Sequence, residues 1–262
     1  MVFTDAQISA WVAGWLWPLF RIASFFMVIP VIGTQLVPMR VRIGFSFAVT
    51  LLVVPLLPPV PEVDALSFTS VYITLQQILI GTLMGLMFVM LMQLFVVAGQ
   101  MIAMQMGLGF ASMVDPANGV SVPVLSQIFL VCVTLIFLAM NGHLVMIEVV
   151  VESFKAWPIS AQIIGPDSVS REDLWAFLMR INWLFASALV MSLPAITAVL
   201  IINLSFGIMT RAAPQMNVFS LGFPIGMLFG LFIVWVSISG LLPQFDAFST
   251  NTFLFLRDMQ GL

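Results

Sequence analysis

Between Asp64 and Asp115 the chain carries no charged side chain. A soluble fold needs polar side chains on every outward face, and this stretch cannot supply them. A helix that crosses hydrocarbon needs only about 20 mostly apolar residues, so the run exceeds one simple crossing. The rest of the chain is of the same kind. Hydrophobic residues make up 62% and charged residues 7%, whereas a soluble domain carries about 25% charged residues. Lipid or other apolar protein must cover much of such a surface.

Six hydrophobic segments stand out, near 8–32, 43–60, 71–97, 124–149, 174–206 and 221–242. They predict an all-α integral membrane protein of about six helical segments, several of them kinked or broken. Pro18 and Pro30 fall in the first segment, Pro55 in the second and Pro194 in the fifth. Proline removes a helical hydrogen bond, and a membrane tolerates the break where protein or a wet cavity serves the freed backbone. Simple kinked rods remain the plainer reading. Residues 1–10 contain Asp5 and no Lys or Arg, so the first segment reads as retained rather than as a cleaved signal.

Two connections differ from the rest. The tract from Gly99 to Gly109 is rich in Gly and Met and follows an overlong apolar run, so it reads as irregular backbone packed inside protein. Residues 157–173 hold Pro158, Gly165, Pro166 and mixed charge, an ordinary solvated loop and a natural boundary between two halves. Counting Lys and Arg leaves the orientation tied. Most acids fall opposite Arg40, Arg42 and Arg211, which leans those arginines toward the cytoplasm and both termini outside.

Several chemistries are excluded or disfavoured. Lys155 is the sole lysine and the formal net charge is −3, which excludes a basic surface for nucleic acid. No phosphate-binding Gly-x-x-x-x-Gly-Lys or nucleophile Gly-x-Ser-x-Gly occurs. Cys132 is the single cysteine and His143 the single histidine, which disfavours a metal centre. Asn141-Gly142-His143 reads as a turn at a segment end. Neither a cofactor nor an enzymatic activity is expected. Arg21 and Arg180 interrupt apolar runs, and intramembrane charge is functional by default. Arg21 either pairs with a partner subunit, lines a polar cavity, or snorkels to an interface. Arg180, near the start of its segment, reads as snorkelling. Most of the 19 methionines read as packing. Between Met101 and Met113 they alternate with glycines and suit a deformable seal around a narrow pore.

Four tracts resemble the FliR family of flagellar export-gate proteins, called SctT in the related injectisomes. The first is Arg21 with Pro30, Pro38 and Val41-Arg42. The second is Gln105-Met-Gly-Leu-Gly-Phe-Ala-Ser-Met-Val-Asp-Pro-Ala-Asn-Gly119. The third is Phe137-Leu-Ala-Met-Asn-Gly-His143, and the fourth Arg211-Ala-Ala-Pro-Gln-Met-Asn-Val-Phe-Ser-Leu-Gly-Phe-Pro224. The resemblance implies one core subunit of a type III export gate in the bacterial inner membrane, at the flagellar basal body. Its implied partners are FliP and FliQ, with FlhB and FlhA associated and unfolded substrates passing through the pore. Residues 1–173 would be FliP-like and 174–262 a FliQ-like hairpin. Residues 107–122 would plug the pore, with Met106, Gly107, Gly109, Phe110, Met113, Asp115, Pro116 and Gly119 as its marked positions. Arg211, Pro214, Gln215, Met216 and Asn217 would form the cytoplasmic hairpin tip. The wording of the fourth tract favours a flagellar system. A secondary transporter or small-solute channel is the competing reading. It would want an internal repeat and a midplane coupling charge. No convincing repeat is visible, and Arg21 is the one candidate charge.

Overall fold

In lipid every backbone amide must close on a neighbour within the protein, which leaves helices as the only element long apolar segments can form. The computed structural model describes residues 5–58, 60, 61, 63, 67–110, 112–114, 121–160, 169–212 and 218–259. Among them, eight helices run in order: α1 (Asp5–Val28), α2 (Met39–Val53), α3 (Phe68–Gln105), α4 (Val124–Ala139), α5 (Gly142–Ala156), α6 (Arg171–Ala212), α7 (Val218–Ile238) and α8 (Leu241–Met259). Two 3-10 turns, Val54–Leu56 and Leu108–Phe110, and an antiparallel ribbon of two short strands, β1 (Ser112–Val114) and β2 (Ser121–Pro123), with Met113 opposite Val122, complete the regular structure among the described residues. Among the described residues, four helices are long and apolar enough to cross a bilayer, and counting each of two bent pairs as one span gives up to six. The chain is an all-α integral membrane protein.

The breaks lie partly where the prolines are and partly elsewhere. Pro18 and Pro194 sit inside α1 and α6, and Pro224 sits inside α7. Pro30 lies beyond the end of α1, and Pro55 lies in a 3-10 turn that closes α2. The segment expected over 124–149 is two helices, α4 and α5, bent by 71°. Asn141 makes that bend with a left-handed φ of 57°, a conformation its short polar side chain tolerates. The segment expected to end at 242 likewise turns by 60° into α8. The turn between α1 and α2 is tied by Arg42, whose guanidinium donates to the Gly33, Thr34 and Val37 carbonyls at 2.9–3.3 Å.

Helix α3 corrects one expectation. Gly99 does not begin irregular backbone, because the helix continues to Gln105. Its length is about 57 Å at 1.5 Å per residue, nearly twice the hydrocarbon thickness. Gly99 serves close packing instead: a Cβ there would stand 2.7 Å from the Phe129 ring and 2.9 Å from Ser126 Cα. The start of α6 is set by reciprocal bonds. The Ser170 amide donates to Asp173 Oδ2 at 2.8 Å, and the Asp173 amide donates to Ser170 Oγ at 3.0 Å.

The chain forms two compact units. Residues 1–90, 140–180 and 251–262 make the first, and residues 91–139 and 181–250 the second. Both draw residues from either side of the boundary that the composition of residues 157–173 suggests. The first unit is built on Trp17, Ile22, Phe25, Phe26, Ile73 and Phe88, all buried. Phe25 meets Phe88 edge-on with centroids 6.0 Å apart. The second is built on Phe95, Phe129, Phe137 and Phe245, with Phe137 and Phe245 edge-on at 6.3 Å.

Candidate functional site

Arg21 is the most constrained charge in the first unit. It is fully buried, and its partners come from two other helices and the residue after one of them. Nε donates to Gln77 Oε1 of α3 at 2.7 Å. Nη1 donates to the Ser153 carbonyl at 2.9 Å and to Ser153 Oγ at 3.2 Å. Nη2 donates to the Trp157 carbonyl at 2.7 Å, and the guanidinium stacks 4.2 Å from the Phe154 ring centroid. Ser153 and Trp157 sit at the C-terminal end of α5, where helix carbonyls concentrate partial negative charge. The cation closes that end and needs no snorkelling. Among the described residues, its contacts are neutral oxygens of this chain and the Phe154 ring.

Arg180 also differs from expectation. It is 8% exposed, its guanidinium held within the chain rather than extended into solvent. Nη2 donates to Asn251 Oδ1 at 2.6 Å and to the Asn251 carbonyl at 3.1 Å, and the guanidinium lies 4.6 Å from the Phe255 centroid.

The glycine-rich loop is rooted in the second unit. Ile102, Ala103 and Met106 are buried at the end of α3. Gly107 takes a φ of 76°, which a residue with a Cβ adopts only with strain, and its amide donates to the Met104 carbonyl at 3.1 Å. A 3-10 turn over Leu108–Phe110 and the ribbon β1–β2 follow. Met106 lies across Gly230 of α7. A Cβ on Gly230 would stand 2.6 Å from Met106 Cε and 2.9 Å from its Sδ. Gly109 lies against the Met104 thioether in the same way. Met101 accepts from Ser192 Oγ at 3.6 Å. The methionines at this root therefore hold defined places against glycine and serine. The ribbon was not expected, since Ser, Met and Val with neighbouring Gly and Pro do not alternate long enough to announce a strand. Of the marked plug positions, Met106, Gly107, Gly109, Phe110 and Met113 lie on this root and ribbon; Asp115, Pro116 and Gly119 lie outside the described residues.

At the hairpin, Arg211 is exposed in the last turn of α6. Pro214, Gln215, Met216 and Asn217 lie outside the described residues, and α7 resumes at Val218.

Comparison with known proteins places these features in one lineage. Residues 12–252 match the model of the family described as bacterial export proteins, family 1. The flagellar biosynthetic protein FliR of Escherichia coli (strain K12) is 32% identical over 250 residues, covering 95% of this chain and 92% of the relative. The chain belongs to the FliR family. The FliR of Pectobacterium carotovorum subsp. carotovorum is 34% identical over 259 residues, covering 99% and 95%. That of Bacillus subtilis (strain 168) is 30% identical over 222 residues, covering 83% and 84%. Arg21, the loop root and Arg211 of this FliR-family chain all fall within the matched residues.

Proposed function

We propose that this chain is a core subunit of the flagellar type III protein export gate. It assembles with FliP and FliQ homologues into a helical pore in the bacterial inner membrane at the basal body. FlhB and FlhA associate with that pore, and unfolded export substrates pass through it. The observation that carries this reading is near full-length likeness to proteins named for flagellar biosynthesis, 32% identity over 95% of the chain in one case. Residues 1–173 take the FliP-like role and 174–262 the FliQ-like hairpin. Residues 107–122 plug the pore from within. The fixed seating of Met106 on Gly230 supports a loop that is anchored at its root.

The test is export itself. Deleting the gene in its motile host should abolish release of flagellar subunits to the medium, and a plasmid copy should restore it. Normal export in the deletion strain would overturn the reading. A secondary transporter would need an available coupling charge. Arg21 is a poor candidate, because its guanidinium is already held by Gln77, Ser153 and Trp157.

The hairpin tip over 211–217 faces the cytoplasm in this reading. A cysteine at Ala213, with Cys132 replaced, should resist an impermeant thiol reagent applied to cells with a permeabilised outer membrane. Rapid labelling would reverse the topology.

A further inference from the structure

On the first unit a cleft of about 700 Å³ opens between α5, α6 and the end of α8, lined by Glu152, Arg180, Asn251, Phe255, Arg257 and Asp258. Two guanidinium groups and two carboxylates thus surround one opening. Its volume lies within the roughly 300–1,000 Å³ of small-ligand sites. Arg180 is placed before any ligand arrives, because Asn251 bonds it and Phe255 stacks on it. Arg257 and Asp258 are exposed and Glu152 is half-buried, so their heads are open to an occupant.

The cleft lies at the polar end of its helices. α6 begins with Arg171, Glu172 and Asp173, then exposes Trp175, a residue type enriched at the membrane–water boundary. Arg180 is about 8 Å beyond Trp175 along that helix. Among the lining residues, Leu254 is 60% exposed. Charge at and just inside the membrane boundary, beside bare aliphatic surface, is what a phospholipid presents in complement.

We infer that this cleft binds a phospholipid with a phosphoethanolamine headgroup. The phosphate lies against Arg180 and Arg257, the ammonium against Glu152 and Asp258, and the acyl chains along Leu254. Two carboxylates repel a headgroup that is only anionic. A primary ammonium can donate hydrogen bonds to them, whereas a quaternary one cannot and prefers an aromatic face. The Phe255 face is already taken by Arg180.

The experiment uses the full chain, purified in mild detergent with whatever subunits accompany it. Phosphatidylethanolamine, phosphatidylcholine and phosphatidylglycerol of matched acyl chains are added, and retention is read by native mass spectrometry. Free phosphoethanolamine forms a further arm. Phosphatidylethanolamine should be retained about ten-fold better than the other two, as expected for a pair of charge-assisted hydrogen bonds. Free phosphoethanolamine should compete weakly, for lack of chains. Arg257→Gln and Glu152→Gln should each remove that preference without changing the melting temperature, since both side chains reach solvent. Equal retention of all three lipids would overturn the inference. So would binding of free phosphoethanolamine as strong as the lipid's, which would mean a soluble ligand. A cysteine at Arg257 that cross-links to a copurified subunit, with no lipid retained, would assign the cleft to protein and equally overturn it.

Discussion

Replacing Arg21 with leucine is expected to leave little folded protein. The change strands the Gln77 Oε1 and the Trp157 carbonyl in a buried site, while the Ser153 carbonyl keeps the Trp157 amide. Each buried acceptor left unpaired typically destabilises by about 1–3 kcal/mol, and the emptied guanidinium volume adds to that. That is a large share of the ~5–15 kcal/mol by which native domains are held. Arg21→Lys should recover part of the loss. An ammonium keeps the charge near the end of α5 but cannot reach acceptors on three sides as a planar guanidinium does. The check is recovery of monodisperse protein on sizing in mild detergent, with a thermal melt. Wild-type yield and melting temperature for Arg21→Leu would mean the network is incidental.

Deleting residues 109–118 should leave the gate assembled and let small solutes cross the membrane. On the proposed reading, the deletion removes most of the plug while keeping Met106 on Gly230 and the helices on either side. Growth should slow, and uptake of a normally excluded dye or antibiotic should rise several-fold, with partner subunits still copurifying. Gly230→Ala offers a milder probe of the same root. Its Cβ would meet Met106 at 2.6 Å, so the methionine must move and a smaller leak should follow. A loop that only braces helices gives the opposite pattern: lost assembly and no leak. An assembled complex with unchanged permeability would sink the plug.

The long apolar runs were legible because lipid imposes helices on them whatever their neighbours. The turn at Asn141 was also legible, from a residue that tolerates left-handed backbone next to glycine. Helix α8 was not, because Asp246, Arg257 and Asp258 make it look like a polar tail. Packing against α6, where Asn251 holds Arg180, gives that tail its order. Gly99 misled in the other direction. Composition alone does not separate a glycine that ends a helix from one that lets Phe129 and Ser126 approach it. The Arg21 site was half visible. The charge was conspicuous, but its acceptors at Gln77, Ser153 and Trp157 come from distant parts of the chain, and two of the bonds go to backbone carbonyls that no residue type announces. Arg42 taught the same lesson: it read as a topology marker and proved to tie a turn through carbonyls.

The central claim is that this chain works as one part of a hetero-oligomeric gate. The direct measurement is to tag it at native expression level, purify it in mild detergent and identify what comes with it. FliP and FliQ homologues recovered in a single particle with the chain are the predicted result. Recovery of the chain alone, or as a stable homo-oligomer free of both, would contradict the account.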